Sequence, residues 1–480
     1  MFYLTILMSS RSTKLSTFAA LRNPVFRRLW LASLISGTCV AAHDTAAVWV
    51  MNTLSSSTLS LSMMSTVASL PLFLFTLPAG VFADMVNRQK LLRCVNLWLA
   101  IAAGLLTILG SLRLLSPNVL LFCVFMIGLG FAFSAPAWSA FVSDVVAVEE
   151  LPSAATLGGL QLNVSGIIGP ALGGVLLYLL GANWVFAANA ICFIGVIFVL
   201  LPWKRVEAEA QLPLENFFES LSTAIRYVRC APAIRVVLAR NVLFAFFISV
   251  IPALIPVLGL KELHLQPCSL GLLFTSMGVG SVFSAVFILP RLRKKLSPNA
   301  STILANLLEA VVYLLMAFVR QPLVFMIVAA LAGMGWTVAA SELWVAAQRA
   351  IPGWARGRMN ATIIMVSQGG IALGGMIWGL ASQVAGVSTT LIVAAVAFTF
   401  SLVLGIPLSI NFTTPLDSQP ISDYRIANRL QFRTRLKGLD RLMQSRAPAT
   451  HPGRVPCEWR RGFTTEAQRA QSSEWISARR

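Results

Sequence analysis

Charge is what this chain is short of. Only 18 of its 480 residues are acidic, 3 are histidine, and charged residues of all kinds make up 11%. A soluble globular chain carries about 25%, so one water-soluble core of this length is excluded. The seven cysteines, at 39, 94, 123, 192, 230, 268 and 457, include no Cys-x-x-Cys pair and fall mostly inside apolar runs. They read as small buried hydrophobes, not as a disulfide frame or a metal site. No Gly-Lys dipeptide occurs, so there is no P-loop and ATP hydrolysis is not expected. No His/Asp/Glu cluster or Ser-His pairing stands at catalytic spacing. The chain does not read as an enzyme, and no cofactor or metal is expected.

What is present is apolar length. Hydrophobic residues make up 57% of the chain, in runs that reach the roughly 20 residues a bilayer-crossing helix needs. Twelve spans are predicted, at 26–50, 58–82, 91–112, 118–142, 154–180, 183–203, 235–259, 267–289, 299–319, 322–347, 359–382 and 388–410. The short apolar stretch Met1 to Met8 is followed by basic residues and not by a small-residue cleavage site, so it does not read as a cleaved signal.

Basic residues then orient the spans. With the N-terminus inside, 34 of the 37 Lys and Arg fall on one face, and Arg113, Lys261 and Arg320 alone fall on the other. This is the positive-inside pattern, and it places both termini in the cytoplasm. The net charge of +19 is therefore topological, and nucleic acid is not an expected partner.

The chain also repeats itself. Val81-Phe82 recurs as Val282-Phe283, and Ala171-Leu-Gly-Gly174 recurs as Ala372-Leu-Gly-Gly375, both 201 residues on. The expected class is an all-α integral membrane protein of 12 transmembrane helices in two pseudo-symmetric six-helix halves. The organisation follows: a cytoplasmic segment 1–25, halves at 26–203 and 235–410, a cytoplasmic linker 204–234, and a basic, disordered tail 411–480. Within the tail, 424–443 could form a basic amphipathic surface helix.

Between spans two and three lies Gly80-Val-Phe-Ala-Asp84-Met-Val-Asn-Arg88-Gln-Lys90. Gly80 permits close helix packing, and Asp84 can cap a helix N-terminus in the other half. Arg88 can pair with Asp84 or with Asp144 at the end of span four. This spacing resembles the most general motif of the major facilitator superfamily, where the cluster is a conformational latch. The resemblance implies the same for Gly80, Asp84, Arg88, Lys90 and Asp144. The second-half copy, Leu289-Pro-Arg-Leu-Arg-Lys-Lys295, has no Asp, so the latch is expected to be one-sided.

In span five, Ser165-Gly166-Ile-Ile-Gly169-Pro170-Ala-Leu-Gly173-Gly174 resembles the run that marks exporters and antiporters of the superfamily, with Ser165 for the usual first Gly. It also reads as a tight helix contact with a proline bend. The second half repeats the run at Val366 to Gly375 without the proline. Asn23-Pro-Val-Phe26-Arg-Arg-Leu-Trp30, Pro136-Ala-Trp138, Glu149-Glu-Leu-Pro152, Pro290-Arg-Leu-Arg293, Ala346-Ala-Gln348 with Arg356-Gly-Arg358, and Gln368-Gly-Gly370 narrow the likeness. Together they are similar to one branch, the transmembrane secretion effectors, related to enterobactin exporters and macrolide efflux proteins. The likeness covers about residues 20–410.

Three acids lie inside spans: Asp44, Glu309 and Glu342. A carboxylate is costly at bilayer depth, so each is a proton-coupling candidate. Asp44 is favoured, in a span that the resemblance makes cavity-lining. Glu309 reads also as an acid bonded to a neighbouring helix, and Glu342 as an interfacial salt bridge to Arg349, seven residues on. Many drug/proton antiporters carry an Arg in span four, but Phe122 to Phe133 holds no charge here. Cavity candidates are Gln161, Asn163, Asn241 and Gln368, with Asn189, among Met63, Met64, Phe73, Trp138 and Trp378; that lining suits amphiphilic cargo.

The resulting expectation is a monomeric secondary exporter of small amphiphilic molecules, of drug or siderophore type, in a bacterial inner membrane and exchanging cargo for protons. The alternatives are a non-transporting family member or sensor scaffold, and an uptake permease.

Overall fold

The structure is a computed structural model, and the residues described are 18–202, 232–351 and 356–405. Most of the expected linker and all of the tail 411–480 lie outside them, as do residues 1–17.

Twelve helical spans follow one another: α1 (Pro24–Leu54), α2 (Thr58–Met85), α3 (Arg88–Ser111), α4 (Pro117–Val145), α5 (Leu151–Leu180) and α6 (Ala182–Leu200). In the second half, α7 is built of Pro232–Ile248, Val250–Val257 and a π-helical turn Leu258–Glu262. Span α8 is built of Pro267–Phe283, a π-helical turn Ser284–Ile288, and Leu289–Lys295. Then come α9 (Pro298–Phe318), α10 (Pro322–Ala350), α11 (Arg356–Ala385) and α12 (Val387–Gly405). Eleven are long and apolar enough to cross a bilayer, and the twelfth is an apolar helix of 19 residues.

Local chemistry sets the ends. Proline opens α1, α4, α8, α9 and α10, where its missing N–H is lost at no cost. Asn23, Asn87, Ser116 and Ser297 accept hydrogen bonds from the first backbone N–H groups of α1, α3, α4 and α9. Gly181 and Gly386, with φ of +87° and +82°, turn α5 into α6 and α11 into α12, a backbone geometry that favours glycine.

The two halves obey one packing rule. In the first, α1 packs on α5 and α6, α2 on α4, and α3 on α4 and α6. Adding six to each number gives the main contacts of the second: α7 with α11, α8 with α10, α9 with α10 and α12. The halves meet through α2 with α11 and α5 with α8, contacts that the same operation exchanges. The short sequence repeats thus mark a real pseudo-two-fold, relating two halves of the same orientation as parallel-repeat transporter folds do.

Two expectations about loops need correcting. The motif between spans two and three is mostly helix: Asp84 lies in the last turn of α2, Arg88 begins α3, and only Val86 and Asn87 join them. Leu289–Lys295 is likewise helical, the last piece of α8. Asn87 capping accounts for the first, and in the second Pro290 stands in the first turn of its helical piece, where proline is tolerated.

Candidate functional site

The exporter-type run forms two seams at once. On α5, Gly169 and Gly173 face α1: a methyl group at Gly173 would come within 2.7 Å of the Ala42 Cα. Gly174 faces α8 across the halves, with Pro267 O 2.7 Å from where its Cβ would stand. The second half copies this: Gly370 meets Ala245 on α7, and Gly375 meets Ser65 and Thr66 on α2. Only glycine lets backbones approach this closely. Pro170 has no N–H for Gly166 O; that oxygen lies 2.8 Å from the Cβ position of Gly278 on α8, and Thr275 of α8 donates to Ile167 O at 2.9 Å. Ser165 is buried in the α1 seam, donating to Leu34 O at 3.2 Å.

The close contacts between halves gather away from the basic face. Gly375 and Gly379 of α11 meet Ser65, Thr66 and Ser62 of α2, and Gly369 meets Phe73. Nearer the basic face, methyl groups at Gly80, Gly158 or Gly159 would meet no atom within 4 Å. The close helix packing expected at Gly80 is therefore not made in this conformation. On α5, residues 163, 166, 170 and 174 share one face at spacings of three and four. The last three meet α8, while Asn163, a turn nearer the basic face, is exposed. Among the described residues, α5 and α8 part at that point.

Of the cavity candidates, Asn163 is exposed and Gln368 half-buried. The other two belong to seams within a half, which corrects their assignment. Gln161 is buried and donates to Ser33 O at 3.1 Å on α1. Asn241 is buried and donates to Ser367 Oγ at 2.5 Å on α11. Asn189, Met64 and Trp378 are buried too, the last donating to Phe246 O at 3.1 Å. A polar residue amid an apolar run cannot show from sequence which neighbour satisfies it.

The latch residues are placed as follows. Arg88 Nη1 lies 2.7 Å from Asp144 Oδ1 and 3.3 Å from Ala140 O, tying the start of α3 to the end of α4. Lys90 is exposed in the first turn of α3. The Asp84 side chain lies outside the described residues.

The second half carries its own pair, which corrects the one-sided expectation. Arg293 Nε lies 2.7 Å from Glu342 Oε1, with side-chain exposures of 44% and 2%. Glu342 therefore pairs with α8 and not with Arg349 as expected. Seven residues along a helix is about 10 Å of rise, too far for a short pair, whereas α8 packs alongside α10. Missing an Asp in α8, sequence reading overlooked an acid supplied from α10.

The other two acids differ sharply. Glu309 of α9 is fully buried against α10, its Oε1 2.6 Å from the Cβ position of Gly335 and its carboxyl facing the Trp336 backbone of the same helix. Asp44 of α1 is exposed, although protein surrounds it at longer range. It lies on neither the α5 face, marked by Thr38, Ala41 and Ala42, nor the α6 face, marked by Cys39 and His43. Ile35, 58% exposed, stands nine residues earlier and so half a turn around. Asp44 thus projects opposite to that outer surface, with no hydrogen bond or ion pair among the described residues. No group of three metal-ligating side chains occurs among them either.

The entry segment also has a structural role. Asn23 caps α1 and donates to Val145 O at 2.9 Å, and Trp30 Nε1 donates to Leu157 O at 2.8 Å. Gln348 donates to Asn360 Oδ1 at 2.7 Å, joining the end of α10 to the start of α11. A shallow cleft of ≈ 420 Å³ lined by Thr107, Ser111, Asn183 and Trp184 opens between α3 and α6, away from all the candidates.

Two six-helix halves related by a pseudo-two-fold and closed at one face are the architecture of a transporter of the major facilitator type. The sequence profile of the transmembrane secretion effectors matches residues 15–435, and the chain belongs to that family. It is a membrane transporter and not an enzyme. It is 26% identical over 383 residues to the enterobactin exporter EntS of Citrobacter koseri, covering 78% of this chain and 88% of that protein. To macrolide efflux protein A of Streptococcus pyogenes it is 23% identical over 267 residues, covering 55% of this chain and 65% of that protein. Among solved structures, an auto-inhibited POT family peptide transporter superposes with a TM-score of 0.65 at 12% identity, covering 83% of this chain and 99% of that one. A bacterial homologue of the human lysosomal transporter Spinster gives 0.57 at 16%, covering 81% and 96%. These two share the fold.

Proposed function

We propose that this protein is a secondary exporter of small amphiphilic molecules that works by alternating access, with Asp44 exchanging a proton for cargo. The observation that carries the reading is Asp44: an exposed acid on the interior side of α1, without a cation partner among the described residues. Such a group can bind a proton in one conformation and yield it to cargo in the other. The basic face is the cytoplasmic one by the positive-inside rule, so the gap beside Asn163 opens inward, where an exporter loads. Relatives that export enterobactin and macrolides support the direction and an amphiphilic cargo of siderophore or drug type. Glu309 and Glu342 fit the coupling role less well: one is sealed in the second half, and the other is held by Arg293.

The test is flux in proteoliposomes of the full chain, with a macrolide and a catecholate siderophore as probes. An imposed proton gradient drives both or one outward in the wild type, and Asp44→Asn abolishes that coupling while counterflow exchange persists. Unchanged coupling in Asp44→Asn overturns the proton site. Proton movement with inward cargo flux would make the protein an uptake permease, and no flux of either probe would favour a non-transporting role.

A further inference from the structure

The far face is closed by something other than small-residue seams. Lys261, in the π-helical turn that ends α7, reaches across the halves and donates from Nζ to Ser56 O. Ser56 follows directly on the C-terminus of α1, where Ser55 is the capping residue and no basic residue lies in the last turn of the helix itself. Ser56 also stands one residue before Ser57, the N-cap of α2, so two helix ends of opposite dipole meet there and offset each other; what holds the ammonium is its charge-assisted bond to the Ser56 carbonyl. The neighbouring acid does not compete for Lys261, because Glu262 Oε2 lies 3.9 Å from Arg320 Nε on the other side. A π turn holds more residues than an α turn and often marks a functional position; here it carries the basic residue to the seam.

We propose that Lys261 is a clasp of the far face, an ammonium from the second half seated on the Ser56 carbonyl in the α1–α2 turn of the first. The contact stabilises the conformation in which the far face is closed. The clasp rests on the alternating-access reading, since it matters only if the far face opens.

A native reporter sits beside it. Cys268, near the start of α8, lies with its Sγ 3.7 Å from Gly174 O in the closed α5–α8 seam. In the reconstituted full chain, modification of Cys268 by a membrane-impermeant maleimide, followed by peptide mass spectrometry, reads how often the far face opens. Lys261→Gln is expected to raise the rate about two- to five-fold, the factor that a partly exposed charged contact commands, while Lys261→Arg keeps it near the wild type. Raising ionic strength should speed Cys268 modification in the wild type and leave Lys261→Gln unmoved, because salt screens a cation that is only half-buried. Equal rates in all three proteins, or a wild-type rate indifferent to salt, overturn the clasp. The salt series on the wild type decides even if the variants fold poorly. Cargo flux is a separate measurement, so a protein that transports neither probe can still possess or lack this clasp.

Discussion

Three acids embedded in the spans meet three different surroundings, and those decide what replacing each one does. In the Arg293–Glu342 pair the arginine is 44% exposed and the glutamate 2%. Removing Arg293 leaves a buried carboxylate alone, whereas removing Glu342 leaves a cation that water can reach. Arg293→Ala should therefore cost about 1–2 kcal/mol, discounted for the exposed partner, and Glu342→Gln clearly less. The double variant should recover part of the loss, and melting in detergent would show the order. Equal penalties would mean that the pair is not the source of the effect. Sequence could name all three acids but not their partners, since the partner of Glu342 stands 49 residues earlier and its heptad neighbour Arg349 was a plausible decoy.

Helices of this protein are held by backbone-to-backbone contact at a few small residues, and the glycines are unequal. Gly173 lies in the α1 seam, where a side chain would strike Ala42, while the Cβ position of Gly80 is open. Gly173→Val should destabilise by about 1–3 kcal/mol through overpacking. Gly80→Ala should leave melting unchanged and slow only the passage to the conformation in which the latch closes. Melting curves for both, with far-face labelling of Cys268 for the second, check the pair. If Gly80→Ala melts early, the gap at the basic face is not the resting arrangement. The starts of α1 to α12 were legible to within about three residues because prolines, caps and glycines act locally, whereas α2 and α8 run on past their expected ends to Met85 and Lys295. The π-helical turns in α7 and α8 were not, because no local signal distinguishes them from α-helix.

The molecule as a whole is a pair of six-helix units touching through α2 with α11 and α5 with α8, with their close contacts away from the basic face. A cysteine placed at Asn163 should accordingly react with an impermeant thiol reagent added on the cytoplasmic side, and roughly tenfold less from the outside. That factor corresponds to about 1.4 kcal/mol of preference for the inward-open form. Equal reactivity from both sides would remove the inward-facing assignment, and the reverse preference would invert the topology.

Amino-acid order settled the class, the twelve spans, the twofold repeat and the family. These depend on apolar run length, on charge asymmetry and on short local signals, all of which survive without knowing which helix lies beside which. The spatial arrangement settled the rest: that Gln161 and Asn241 belong to seams, that Glu342 answers to Arg293, that Asp44 has no ion-pair partner among the described residues, and that Lys261 crosses to Ser56. Each of these depends on the face a helix turns to a neighbour far away in sequence. In a bilayer, where apolar residues are at home on every side, periodicity does not reveal that face. Packing of small residues selects it.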